Sequence, residues 1–274
     1  MAAALRHVDS LSEGPPVDPT LRVTLHFHPD RLFAGRPLLE HLAEDGVYRS
    51  QFETFTSNGG LTAHPGGDRW AWEQRMFGGA YDTAPRSVRP KYGSLNHRRR
   101  PAGGSVRFGS AHLRLAADTL CRTTFCYPDS VFGPAAFGTA EHMALIPIAA
   151  ADHRDLLDDY IEAHVHGPLL LDTDVEALVL DPVYRDTDVE AAGSGLPFPL
   201  EWHPGFRLHV DELAQHPGYR GLEVVEAGRS VAVQGWLDAR VIGSAAHSNR
   251  YDEQTLKRLW HCTARFGQPF QESL

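Results

Sequence analysis

Apolar and polar positions change period along this chain, and each change marks an element. RVTLHF (22–27) alternates, so period two predicts a strand carrying His26 and, one step further, His28 on the face opposite Phe27. PLLEHLAEDG (37–46) repeats at three and four and stops at Gly46, as an amphipathic helix does. YRSQFETF (48–55) reads as a short polar strand, and WAWEQRMF (70–77) has helical spacing. VRFGSAHLRL (106–115) and RTTFCYP (122–128) look like paired strands. AEHMALIPIAAADHRDLLDDYI (140–161) reads mainly as helix, while EAHVHGPLLL (162–171) and DVEALVLDP (174–182) read as strands. EVVEAGRSVAVQGW (223–236) predicts a hairpin, and QTLKRLWHCTARFG (254–267) a terminal helix capped by Gly267.

Strands mixed with few long helices, without a βαβα rhythm, point to an α+β fold. A chain of 274 residues, 42% hydrophobic, can bury a sizeable core. Residues 1–20 read as a flexible tail and 21–274 as a single catalytic domain, in which 195–274 either form a C-terminal subdomain or complete the main sheet. Three cysteines without metal or thioredoxin spacing suit a reducing compartment. No run of about 18 apolar residues predicts a membrane span, and the first residues lack the basic and apolar regions of a signal peptide. The expected location is cytoplasmic, with secretion as an effector left open.

The net charge of −9 argues against a chain that grips nucleic acid over its whole face. Residues 86–107 are the exception: six arginines and a lysine without an acid, either a solvated loop or an anion site in which Arg89 and Lys91 are the candidate ligands. Neither GxGxxG nor a P-loop occurs, so the usual nucleotide motifs are absent.

Four segments carry candidate chemistry. His26 and His28 share a strand face, a costly pattern in a plain core because each buried ring needs partners. Gln51 and Glu53 lead into Ser57-Asn58-Gly59-Gly60, where glycines let backbone N–H groups approach a ligand. Thr124 and Ser130 place hydroxyls on and just after a strand. Glu162, His164 and His166 share one face, and three titratable groups in a row are not expected all to be core. Glu201-Trp202-His203-Pro204-Gly205-Phe206 reads as a turn packed with an aromatic.

In order, HFHPDR, SQFETFTSNGGL, GGDRWAWE, RPKYGSLN, RFGSAHLRL, RTTFCYPDS and YIEAHVHGPLLLDTDVEALVLDP resemble a bacterial family of unknown function over residues 20–265. More distantly, the layout resembles the ADP-ribosyltransferase superfamily, whose H-Y-E pattern sets His, Tyr and Glu on successive strands; His26, Tyr92 and Glu162 match it here. The resemblance implies split mixed or antiparallel sheets with flanking helices and NAD in the cleft between them. It also implies His26 on the adenosine-side ribose, Tyr92 stacked on nicotinamide and Glu162 as catalytic carboxylate. Arg31, or the stripe at Arg89 and Lys91, would hold the pyrophosphate. His28, Ser57, Asn58, Thr124 and Ser130 would complete the NAD site, and Gln51, Glu53 and His164 the acceptor side. No metal is expected.

The sequence departs from the pattern at two places. Tyr160 stands where arginine-modifying members carry Gln or Glu, and Gln51-Phe52-Glu53 spells Q-x-E too early in the chain. The implied activity is transfer of ADP-ribose, or NAD hydrolysis, with the acceptor open and an immunity or antitoxin protein as a conceivable partner. The alternative is a metal-dependent hydrolase built on the His26/His28 and His164/His166 pairs.

Overall fold

A computed structural model describes residues 1–55 and 62–270. Eight strands form the main sheet: β1 (Val23–Phe27), β2 (Lys91–Leu95), β3 (Ala111–Leu115), β4 (Thr123–Tyr127), β5 (Ala136–Gly138), β6 (Ile161–Val165), β7 (Val175–Leu180) and β8 (Leu200–Trp202). Their order is β8-β7-β3-β1-β2-β6-β4-β5, antiparallel throughout except for the parallel β7–β8 pair. With its helices this mixed sheet is an α+β fold.

Alternation along β6 explains both faces of the sheet. Ile161, Ala163 and Val165 enter the main core with Leu25, Leu95, Leu113 and Phe125. Glu162, His164 and His166 point the other way. That second face is roofed by α3 (Asp68–Met76), one of whose sides carries Arg69, Trp72, Glu73 and Met76, all buried. The roof continues with Phe77 and Tyr81 and is closed by α1 (Ala2–Asp9) through Ala4 and Val8. α2 spans Leu38–Asp45 and ends at a left-handed Gly46. After β8, α5 (Leu222–Val231), α6 (Ala239–His247) and α7 (Glu253–Phe266), which follow α4 (Leu145–Ala151), pack around a second apolar cluster that includes Leu213, Val224, Leu237, Leu259 and Trp260.

Several expectations are corrected. The N-terminal segment is no loose tail, since α1 docks by its apolar side. YRSQFETF is not a strand: Gln51–Thr54 is a helical turn, because Ser50 and Glu53 form a capping box that outweighs the alternation. The strands at 106–115 and 122–128 do not pair, as β1, β2 and β6 lie between them, and Val106–Phe108 is a separate turn. EVVEAGRSV is a helix, because Val224, Val225 and Gly228 fall on the side facing the second cluster and packing overrides the strand preference of valine. Helix in 140–161 is confined to α4.

The expected cleft between two separate sheets is also revised, because the eight strands named above form one continuous sheet, and the remaining strands among the described residues form two short two-stranded pairs. Its ladder is short at one point: β1 pairs with β2 only at Val23–Leu95 and Thr24–Ser94, and stops before His26. Gly93, on β2, sits where a Cβ would lie 2.5 Å from Leu25 Cδ2 and 2.6 Å from the Thr24 carbonyl oxygen, so only glycine permits this approach.

Candidate functional site

Where the β1–β2 ladder ends, a cavity of about 60 Å³ opens, lined by His26, Tyr92, Gly93 and Glu162 of the sheet with Tyr48, Gln51, Arg69, Phe108, Asp129 and Val131 around them. β6 lies between β2 and β4, and the register sets Tyr92 and Thr124 beside His164, and Ser94 and Cys126 beside Glu162. Three residues far apart in sequence, His26, Tyr92 and Glu162, thus meet on adjacent strands β1, β2 and β6.

Glu162 is the most heavily held group. Its Oε1 accepts from His164 Nε2 at 2.9 Å, and Oε2 accepts from the Ser130 hydroxyl at 2.9 Å and the Ser130 amide at 3.3 Å. The Arg69 guanidinium lies 3.8 Å from Oε1 and donates to Ser130 Oγ at 3.1 Å. Burial pulls the Glu162 carboxyl upward, but the hydrogen bond from His164, then the Arg69 charge and the Ser130 hydroxyl, outweigh it and hold it below its ordinary value. It is a buried carboxylate that stays ionised.

Behind it runs a buried relay. Tyr81 Oη donates to His166 Nδ1 at 2.6 Å, His166 Nε2 to Thr124 Oγ1 at 2.9 Å, Thr124 Oγ1 to His164 Nδ1 at 3.2 Å, and His164 Nε2 to Glu162. This direction, assigned from the network, gives every donor one acceptor. The expectation that Glu162, His164 and His166 are not all core is thereby corrected. All three are buried, because each finds its partner inside the face that α3 covers, where Phe77 lies edge-on to both histidine rings. Thr124 is fully buried in the relay and Ser130 braces Glu162, so neither lines the cavity itself.

Asp129 presents a second carboxylate. Its Oδ1 accepts from the Val131 amide at 2.7 Å and lies 3.3 Å from Ser130 Oγ, while Oδ2 has no hydrogen bond among the described residues. Burial, then the adjacent Glu162 charge, pushes this acid up to about 7. Two carboxyl groups joined through one serine therefore differ in state.

His26 is fixed from both sides: Nδ1 donates to the Gly109 carbonyl at 3.2 Å and Nε2 accepts from the Ser105 amide at 3.3 Å. Burial lowers it to about 3, so the ring is neutral. Tyr92 donates to Glu73 Oε1 at 2.9 Å and has the Arg69 guanidinium 4.0 Å from its ring centroid, so one face is already covered. Glu73 is in turn paired with Arg89, and burial raises it to about 7.

The other expected residues divide. Gln51, by contrast with Glu53, reaches the cavity, and its Oε1 is buried without a partner among the described residues. Glu53 instead accepts from the Ser50 amide at 2.8 Å as a helix cap. His28 lies beyond the end of β1, edge-on to Trp260, and lines an adjoining cavity of about 180 Å³ with Arg31, Lys91 and Leu38. Tyr48, Gln51 and Tyr92 border both cavities.

The basic stripe is not a single surface. Arg89 bonds to Glu73 and the Tyr81 carbonyl; Lys91 spends its three donors on the Ser87, Arg89 and Gly167 carbonyls; Arg98 and Arg100 pair with Asp159, and Arg107 with Asp158. Ser57 and Asn58 lie outside the described residues. The turn expected at 201–206 begins only after Trp202, because Glu201 and Trp202 lie in β8 and pair with β7, and there His203 donates to the Ser110 carbonyl at 2.7 Å.

Among the described residues, the side chains able to converge on an ion are Cys126, Glu162 and His164. This group contains neither His26 nor His28, and His164 already gives Nε2 to Glu162. Sequence reasoning missed Arg69. Its signal was present, since Arg69 and Glu73 stand four apart on the same helix side as Trp72 and Met76, and charges on an apolar side need buried partners. Among curated proteins no relative matches the chain. Residues 22–152 and 143–266 match the family described as "protein of unknown function (DUF3626)", and the chain belongs to that family.

Proposed function

We propose that this protein cleaves the nicotinamide–ribose bond of NAD and transfers ADP-ribose to an acceptor. The observation that carries the reading is the meeting of His26, Tyr92 and Glu162 around one cavity, on three neighbouring strands. It supports the H-Y-E resemblance drawn from the sequence.

The chemistry suits the groups present. As nicotinamide departs with the bonding electron pair, positive charge develops on the ribose, and an ionised carboxylate fixed beforehand stabilises it without reorganising. Glu162 is held in that way by His164, Ser130 and Arg69, and Oε1 retains a lone pair for a ribose hydroxyl. The buried Gln51 amide oxygen at the junction of the cavities takes an N–H or hydroxyl of the ligand. Arg31, on the adjoining cavity, takes the pyrophosphate in this reading. Cavities of about 60 and 180 Å³ are small beside the ~300–1,000 Å³ of typical ligand sites. A dinucleotide therefore enters by displacing Tyr48, which borders both. Tyr92, which borders both cavities, stacks on nicotinamide in this reading.

The test is nicotinamide release from NAD, followed by chromatography, for the wild type and Glu162→Gln. The amide keeps shape and one acceptor but loses the charge, so turnover falls about 10²–10³-fold while NAD still binds. Equal release by the two proteins, or none by the wild type, refutes the reading.

A further inference from the structure

We propose that Asp129 is the base that takes the proton of a hydroxyl acceptor, water or alcohol, as it attacks the ribose beside Glu162. The inference rests on the function proposed above and specifies its acceptor class. Both carboxylates line the same cavity, and Ser130 Oγ links them, 2.9 Å from Glu162 Oε2 and 3.3 Å from Asp129 Oδ1. Their surroundings divide the labour. Both oxygens of Glu162 are hydrogen-bonded, which suits a fixed charge, whereas Asp129 is anchored through Oδ1 alone and keeps Oδ2 without a hydrogen bond among the described residues. Tyr160, two residues before Glu162, is buried against Phe108 and delivers no carboxylate to this cavity, so the base must come from another element.

The step balances. The C1′–N bond of the nicotinamide ribose breaks and its electron pair leaves with neutral nicotinamide. An oxygen lone pair of the acceptor forms the C1′–O bond, and the O–H proton passes to Asp129 Oδ2, which later returns it to solvent. A carboxylate acceptor carries no such proton and has no use for this group, which is why its presence favours a hydroxyl. The charges acting on Asp129 are Glu162 on β6, Arg69 on α3, Arg107 in the Val106–Phe108 turn, Lys257 on α7 and the Cys126 thiol on β4. With its acid near 7, the base form accumulates at and above neutrality.

The experiment uses the full chain with NAD and three nucleophiles: water alone, added methanol and added sodium azide. Nicotinamide release and the ADP-ribosyl products are measured between pH 5.5 and 8.5. For Asp129→Asn, attack by water and by methanol falls about 10²-fold and the rise in rate through neutral pH disappears. Azide, which attacks without losing a proton, restores release to Asp129→Asn but not to Glu162→Gln. The methanol arm separates the two hydroxyl sources, since a methyl glycoside forms only if an alcohol can enter. Thermal melting confirms that each variant is folded, and Asp129→Glu, which keeps the carboxylate, serves as a second variant. Wild-type release that Asp129→Asn matches with an unchanged pH profile overturns the base alone. Absence of release by the wild type overturns the function reading, and the base with it.

Discussion

Replacing Thr124 by valine tests the buried relay with almost no change in volume. The hydroxyl lies between two imidazole nitrogens, 3.2 Å from His164 Nδ1 and 2.9 Å from His166 Nε2, and all three side chains are fully buried. Valine leaves both nitrogens without a partner where water does not reach. Each orphaned group costs about 1–3 kcal/mol, and the lost volume is negligible, so the variant should be about 2–6 kcal/mol less stable. Thr124→Ser keeps the hydroxyl and loses a methyl, a cost of about 1 kcal/mol. Hydrophobicity alone on a buried strand gives the order valine, wild type, serine, so the place of valine decides between the two accounts. Urea unfolding followed by circular dichroism measures it, at pH 7.5. A valine variant as stable as the wild type would show that Thr124 does not join the two histidines, and that Glu162 is not braced as described.

Two further predictions concern His26. Burial holds its ring at about 3, against an unfolded value of 6.5, so the unfolded chain binds the extra proton between these limits. The stability tied to the neutral ring is intact above 6.5 and is lost as pH falls, by about 2 kcal/mol at pH 5. Asp129 and Glu73, raised to about 7, act in the opposite sense, so the measurement is the difference between wild type and His26→Gln in urea midpoints at pH 7 and pH 5. An equal pH dependence for both proteins would contradict a buried neutral His26. Gly103 has φ +86° and a Cβ there would lie 2.4 Å from His26 Nε2, whereas Gly133 has φ +63° with open space around it. Gly103→Ala should therefore cost more than the ~1–2 kcal/mol of left-handed strain expected for Gly133→Ala, and melting temperatures compare them.

What the sequence made legible follows from how local each feature is. β1, β6, α2 and α7 were readable because apolar period and caps lie within one segment. The helical turn at Gln51–Thr54 was readable too, since Ser50-x-x-Glu53 is a local capping signal, but the alternation of Tyr48 to Phe55 obscured it. The strand order was not readable, because it depends on which distant segments pair, and with it went the true partners of β3 and β4. Glu162 stood out by its polar strand face. Arg69 and Asp129 did not, since their meaning arises only when α3 is laid across β6 and the turn after β4 brings Asp129 and Ser130 to Glu162. The basic stripe misled for the same reason: charges adjacent in sequence found separate acids at Glu73, Asp158 and Asp159.

The central claim is tested most directly by a crystal structure of Glu162→Gln soaked with NAD. The account predicts an intact dinucleotide whose nicotinamide ribose lies at residue 162 beside Tyr92, with its pyrophosphate toward Arg31. NAD bound with that ribose elsewhere, or no binding at millimolar NAD, contradicts it.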